Sequence, residues 1–230
     1  MQSTQSAEKA DIIKTFPLLK RISQPNPILA RYRPKKDVQY LDEYTFNCVI
    51  LGSTNVGKST YCRRLTAGTF AGEYQHTQAG TTFLLHFQTS AGLIHYYIRD
   101  TSGAETEKAK EYREARSRQR DCAILMLDMS GKSELYGNEL DEIHRNMLAA
   151  APDKVDAPTV VVGAKYDLYP YLSPCKIPIL YRLGLAFFVV SSNSGSEYDT
   201  FLRVPFLEMT RQLLRDPNVH FMNFMAPPPI

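Results

Sequence analysis

The nine residues GSTNVGKST (52–60) follow an apolar run, FNCVIL, and precede a helix-compatible YCRRLTAG. A strand, then GxxxxGK[ST], then a helix is an arrangement that wraps a polyphosphate. Across Gly52, Ser53, Thr54, Asn55, Val56 and Gly57 the glycines let the backbone turn closely, so that N–H groups and the positive end of the following helix face phosphate oxygens. Lys58 is expected to bridge the terminal phosphates as a point charge and Ser59 to offer its hydroxyl to Mg²⁺, with Thr60 completing the loop.

Two later stretches extend this chemistry. In IRDTSGAE (98–105), Asp100 falls at a strand end, where a carboxylate holds Mg²⁺ through water. Gly103 stands where a backbone N–H meets a γ-phosphate. In VVGAKYD (161–167), Lys165 and Asp167 lie just past another strand, and an aspartate there accepts both N–H donors on the edge of guanine, a contact adenine cannot offer. AKYD alone would be a weak signal. Following the other two motifs in order, and at a strand terminus, it favours GTP and GDP over ATP.

These residues need strands whose ends lie side by side. Apolar, β-rich runs occur at 45–51, 82–88, 93–99, 122–128, 158–164 and 185–190, and four of them are nearly continuously apolar, as strands covered on both faces must be. Those at 82–88 and 93–99 are joined by TSAG and so form an antiparallel hairpin. Helical stretches are expected at 57–66, 105–119, 134–149, 174–182 and 201–214, the last stopped by DPN. The fold class is therefore α/β: a mixed six-stranded sheet with one antiparallel strand and helices on both faces.

At 230 residues and 43% apolar composition the chain supports one substantial core. The expected division is an extension at 1–44, a domain at 45–216 and a tail at 217–230. The extension reads as flexible and basic, with seven Lys or Arg and no acid between residues 12 and 36. RYRPKK within it suits a docking or nuclear-import segment, and DIIKTFPLL could pack as a helix. No run of about 18 apolar residues and no secretory order is present, which points to an intracellular protein. The four cysteines, Cys48, Cys62, Cys122 and Cys175, lack metal-ligand spacing and read as free thiols. A net charge of +3 does not indicate direct nucleic-acid binding. A monomer is expected.

The ordered motifs resemble the small GTPases of the Ras superfamily, with their three-layer phosphate-loop fold. PFLEMTRQLLRDPNVHF, the later APPPI, HFQTSAGLI and CAILMLD are similar to the Ran family, its nuclear-transport branch. The resemblance implies that Thr77 is the switch-loop threonine grasping Mg²⁺ and the γ-phosphate, with Thr81 and Thr82 as rivals. Thr82 is disfavoured because it already belongs to the next strand. The implied metal set is Ser59, Thr77 and Asp100, and Ser191, Ser192 and Asn193 fall at the second guanine motif. Implied partners are importin-β-like transport receptors and exchange or activating proteins, with a nuclear and cytoplasmic location. No C-terminal cysteine suits a prenyl group, and Gln2 stands where a myristate acceptor would be glycine, so no lipid anchor is expected.

The chain departs from that family at several positions. Ala104 replaces the glutamine that aligns water, leaving no certain catalytic residue, and Thr54 adds bulk where most relatives carry glycine. Slow or defective hydrolysis follows. Ala164 replaces an asparagine and Asn193 a lysine, which thins the guanine pocket and predicts weaker binding or faster exchange. TEKAKEYREARSRQR reads as a highly charged helix in the second switch, and the acidic tail of the family is missing. The alternative reading is a pseudo-GTPase interaction protein whose nucleotide is structural or absent.

Overall fold

In a computed structural model, the described residues are 42–68, 80–104, 106–130, 136–168, 182–193 and 199–222. They form strands β1 (Glu43–Leu51), β2 (Thr81–Thr89), β3 (Gly92–Asp100), β4 (Cys122–Asp128), β5 (Thr159–Ala164) and β6 (Ala186–Val189). The α-helices are α1 (Lys58–Ala67), α2 (Glu107–Arg118), α3 (Tyr136–Ala150) and α4 (Asp199–Leu214). One six-stranded sheet runs in the order β2-β3-β1-β4-β5-β6, with only β2 antiparallel to its neighbour. The fold class, the reversed edge strand and the charged helix at α2 agree with the sequence reading. The helix expected at 174–182 and Cys175 lie almost wholly or wholly outside the described residues, as do Thr77 and the extension through residue 41.

Apolar alternation and continuity explain the layering. Cys48, Ile50, Ile94, Tyr96, Ile98, Ile124 and Met126 turn one face of the sheet toward Tyr61, Cys62 and Leu65 of α1 and Leu202, Phe206 and Met209 of α4. Val49, Leu51, Leu125, Leu127 and Val161 turn the other toward Leu140 and Met147 of α3. Burying both faces of β1 and β4 demands apolar side chains at successive positions, which is why their sequences do not alternate. Two tyrosine hydroxyls inside the first layer are satisfied: Tyr61 donates to Leu202 O at 2.5 Å, and Tyr96 lies 2.9 Å from Thr210 Oγ1. Cys48, Cys62 and Cys122 are buried free thiols.

Two boundaries shift. Residues 43 and 44, assigned to the extension, belong to β1, where Glu43 and Tyr44 register against Leu93 and Ile94. Residues 217–222, assigned to the tail, close onto the domain. His220 O accepts from Ser90 N at 2.9 Å, Met222 N donates to Gln88 O at 3.0 Å, and the Phe221 ring meets Phe87 edge-on. Val219 and Phe221 are buried, so this segment adds apolar contacts to the end of the β2–β3 hairpin. Among the described residues no helix is long and apolar enough to cross a membrane.

Candidate functional site

Parallel pairing brings the carboxyl ends of the central strands to one edge, the usual ligand edge of an open α/β sheet. Ile50 registers against Asp100 and Asp128 against Ala164, so the loop after β1, the end of β3 and the ends of β4 and β5 are neighbours. The sequence-predicted residues in these segments therefore converge.

The loop itself is shaped for an anion. Gly57 is the N-cap of α1 with φ 108°, a left-handed conformation that glycine adopts without steric cost. Asn55 also has positive φ, at 63°, which asparagine tolerates better than most residues. No side chain caps α1 and no acidic residue falls in its first turn, which suits its leading N–H groups and positive dipole end to an incoming anion. Lys58 is buried, and its ammonium donates to Gly52 O and Ser53 O, both at 2.7 Å. Burial pulls its pKa down to about 8; the Asp100 carboxylate opposes that fall and the Arg113 guanidinium adds to it. A lysine in this setting is stabilised in its charged form by an arriving polyanion.

Asp100 and Ser59 meet across the loop, with Ser59 Oγ donating to Asp100 Oδ2 at 2.6 Å. Asp100 is 1% exposed, and its other oxygen, Oδ1, is buried with no hydrogen-bond partner among the described residues. Burial pushes its pKa up, while Ser59 and Lys58 hold it down. A buried carboxylate oxygen without a donor beside a serine hydroxyl fits a hard divalent cation with oxygen ligands. Ser59 and Asp100 would hold Mg²⁺, and the cation would supply positive charge at the β- and γ-phosphate oxygens. Thr82, the rival to Thr77, lies within β2 opposite Arg99, which donates to its hydroxyl. Thr81 opens the same strand, opposite Asp100.

Gly103 packs directly onto the loop: a Cβ there would fall 2.5 Å from Ser53 C and 2.7 Å from Ser53 O, and closer still to Thr54 N. Any other residue at 103 would push these segments apart. Thr101 Oγ1 ties the same loop to Ile50 O at 2.6 Å. Ala104 donates its N–H to Ser102 Oγ and presents only a methyl beyond it. Arg113 of α2 donates to Ser102 O at 2.9 Å and Ala104 O at 2.7 Å. A cavity of about 890 Å³ opens between α2 and α3, bounded by Ser53, Thr54, Gly103, Arg113, Ile143 and Met147. The residues that would meet the base are not on its wall.

At the other end of the site, Ser191 Oγ donates to Asp167 Oδ1 at 2.6 Å, which orients the carboxylate. Lys165 has φ 59° and pairs through its ammonium with Asp128 Oδ2 at 2.7 Å. Burial alone would raise the Asp128 pKa; hydrogen bonds from Lys165 and Ser130 outweigh it and hold the carboxyl below the usual range. Asp128 was not among the sequence-predicted residues. Ser192 and Asn193 follow Ser191 in a turn at the same end. Ala164 is 3% exposed, and a Cβ on Gly57 would stand 3.8 Å from its methyl, so the two segments run close together here.

Ala164→Asn is accordingly expected to tighten binding of GDP and GTP roughly sixfold to a hundredfold, the worth of one buried amide's hydrogen bonds. Isothermal titration checks this. Unchanged affinity at unchanged melting temperature would show that the missing amide does not limit binding.

An uncapped helix end behind a lysine-bearing loop and a serine–aspartate pair suited to a divalent cation are the features of a phosphate-loop nucleotide-binding site. Residues 47–225 match the Ras family, and the chain belongs to that family of small GTP-binding switch proteins.

Proposed function

We propose that this chain is a Ran-like guanine-nucleotide switch that holds GTP with slow turnover. In this reading its GTP form docks to importin-β-like transport receptors in traffic between nucleus and cytoplasm. The observation that carries the slow-turnover reading is the site around Gly103, where Ala104 offers no side-chain hydrogen bond and Thr54 borders the cavity beside Gly103. A water molecule there lacks the side-chain amide that would align it for in-line attack. Guanine selectivity is supported by the Ser191-held Asp167 carboxylate. The Ran-like assignment is supported by PFLEMTRQLLRDPNVHF, whose Val219 and Phe221 anchor the chain to the β2–β3 hairpin.

The test is receptor binding by protein loaded with GTPγS or GDP. An importin-β-like receptor is expected to retain the GTPγS form at least tenfold more tightly, the discrimination a nucleotide-ordered surface gives. Equal retention, or none, overturns the transport role. Ala164 and Asn193 favour a second reading, a pseudo-GTPase whose nucleotide is structural. That reading predicts nucleotide binding whose occupancy changes no partner's affinity.

A further inference from the structure

We propose that Arg113 is a positioning residue of the γ-phosphate site, acting from α2 by fixing the peptide that carries the Gly103 N–H. The proposal rests on the guanine-nucleotide reading above and adds to it a residue that no motif of the sequence singled out.

A single guanidinium nitrogen, Nη1 of Arg113, donates to the carbonyls of Ser102 and Ala104, at 2.9 and 2.7 Å. Those two carbonyls flank Gly103. The Ser102 carbonyl and the Gly103 N–H belong to one peptide unit, which is planar and trans, so the N–H points opposite to the C=O. Holding the oxygen toward α2 therefore turns the Gly103 N–H away from α2. The second bond, to Ala104 O, holds the peptide that leaves Ala104, so the segment is pinned on both sides of the Gly103–Ala104 unit and its rotation is restricted. Steric contact does the rest: Gly103 is pressed so closely on Ser53 and Thr54 that no side chain fits there.

Two further observations favour a role beyond fastening a loop to a helix. Arg113, Gly103, Ser53 and Thr54 border the same cavity, so Arg113 faces the space that the start of the phosphate loop also lines rather than the outer surface of α2. The bonds are also charge-assisted, and a carbonyl held by a cation polarises its own peptide and strengthens the N–H as a donor. A chain with alanine at 104 has no side-chain amide with which to order this segment. Arg113 orders it from the helix instead, through the backbone.

A residue that sets the Gly103 N–H acts on the γ-phosphate alone, whereas a merely structural fastening affects both nucleotides alike. The test follows from that difference. Release of GTPγS and of GDP is measured for the full chain and for Arg113→Ala and Arg113→Lys. Arg113→Ala is expected to speed GTPγS release about tenfold, in line with a hydrogen bond to a charged group, while GDP release stays within about twofold. Arg113→Lys keeps the charge and the donors and is expected to recover part of the loss. If Arg113→Ala does not fold, Arg113→Lys still decides the matter, because its shorter reach changes the ratio of the two release rates under this proposal. An unchanged ratio in every variant that folds overturns the role of Arg113 and leaves the guanine-nucleotide reading standing. Failure of the unaltered chain to bind either nucleotide overturns both.

Discussion

Lys58→Ala is expected to abolish measurable binding of GTP and GDP at micromolar nucleotide. The lysine is 6% exposed, already desolvated, and held by two loop carbonyls at the mouth of an uncapped helix end. Its charged form is the one a polyphosphate stabilises, and burial pulls its pKa down to about 8, so an arriving anion offsets the cost of desolvating the ammonium. Removing one partner of a buried charge pair costs about 3 to 5 kcal/mol, which is roughly two to four orders of magnitude in affinity. Titration calorimetry reads this directly. A melting curve separates it from loop collapse, since the ammonium also fastens Gly52 O and Ser53 O. Retained affinity in a folded Lys58→Ala protein would refute the phosphate-loop assignment.

The second large effect concerns turnover. Ala104→Gln combined with Thr54→Gly is expected to raise single-turnover GTP hydrolysis by about a hundredfold, the scale of one well-placed donor at a reacting centre. Ala104 is only partly buried, and its N–H is already fixed by Ser102 Oγ, so a glutamine side chain would project from an ordered backbone. Thr54 borders the cavity beside Gly103, the residue before Ala104, and its backbone N is packed against Gly103. The two changes share one site, so each alone is expected to recover less than its share. A rate unaltered in the double variant, with GTP binding intact, would show that water alignment is not what limits hydrolysis.

How much of this was legible in the sequence depended on whether the signal was local. The loop at 52–60, Asp100 and Asp167 announce themselves by motif and by position at strand ends, and the sheet edge does bring those segments together. Asp128 gave no such signal. It closes the apolar run CAILMLD and reads as a strand terminator, while its partner Lys165 is 37 residues away in the chain. Arg113 is equally silent, one cation among many in EKAKEYREARSR, because helix periodicity does not tell which charged side chain turns inward.

The tail boundary is a different kind of miss. Val219 and Phe221 alternate with the exposed or half-exposed His220, a period of two that marks an extended segment with one buried side, but three residues after DPN are too few to stand out. Thr77 lies outside the described residues, so its role remains an inference from the family resemblance, and the rival Thr82 is engaged within β2.

The central claim is that the chain grips a guanine nucleotide between Lys58 and the Ser59–Asp100 pair while Asp167 reads the base. Titration of the 230-residue chain with GTP, GDP and ATP in Mg²⁺ tests it most directly. The expected result is saturable binding of both guanine nucleotides, at least about a hundredfold tighter than ATP, as a site built to hydrogen-bond a particular edge discriminates. Absence of binding heat with either guanine nucleotide, or equal affinity for ATP, would contradict the account.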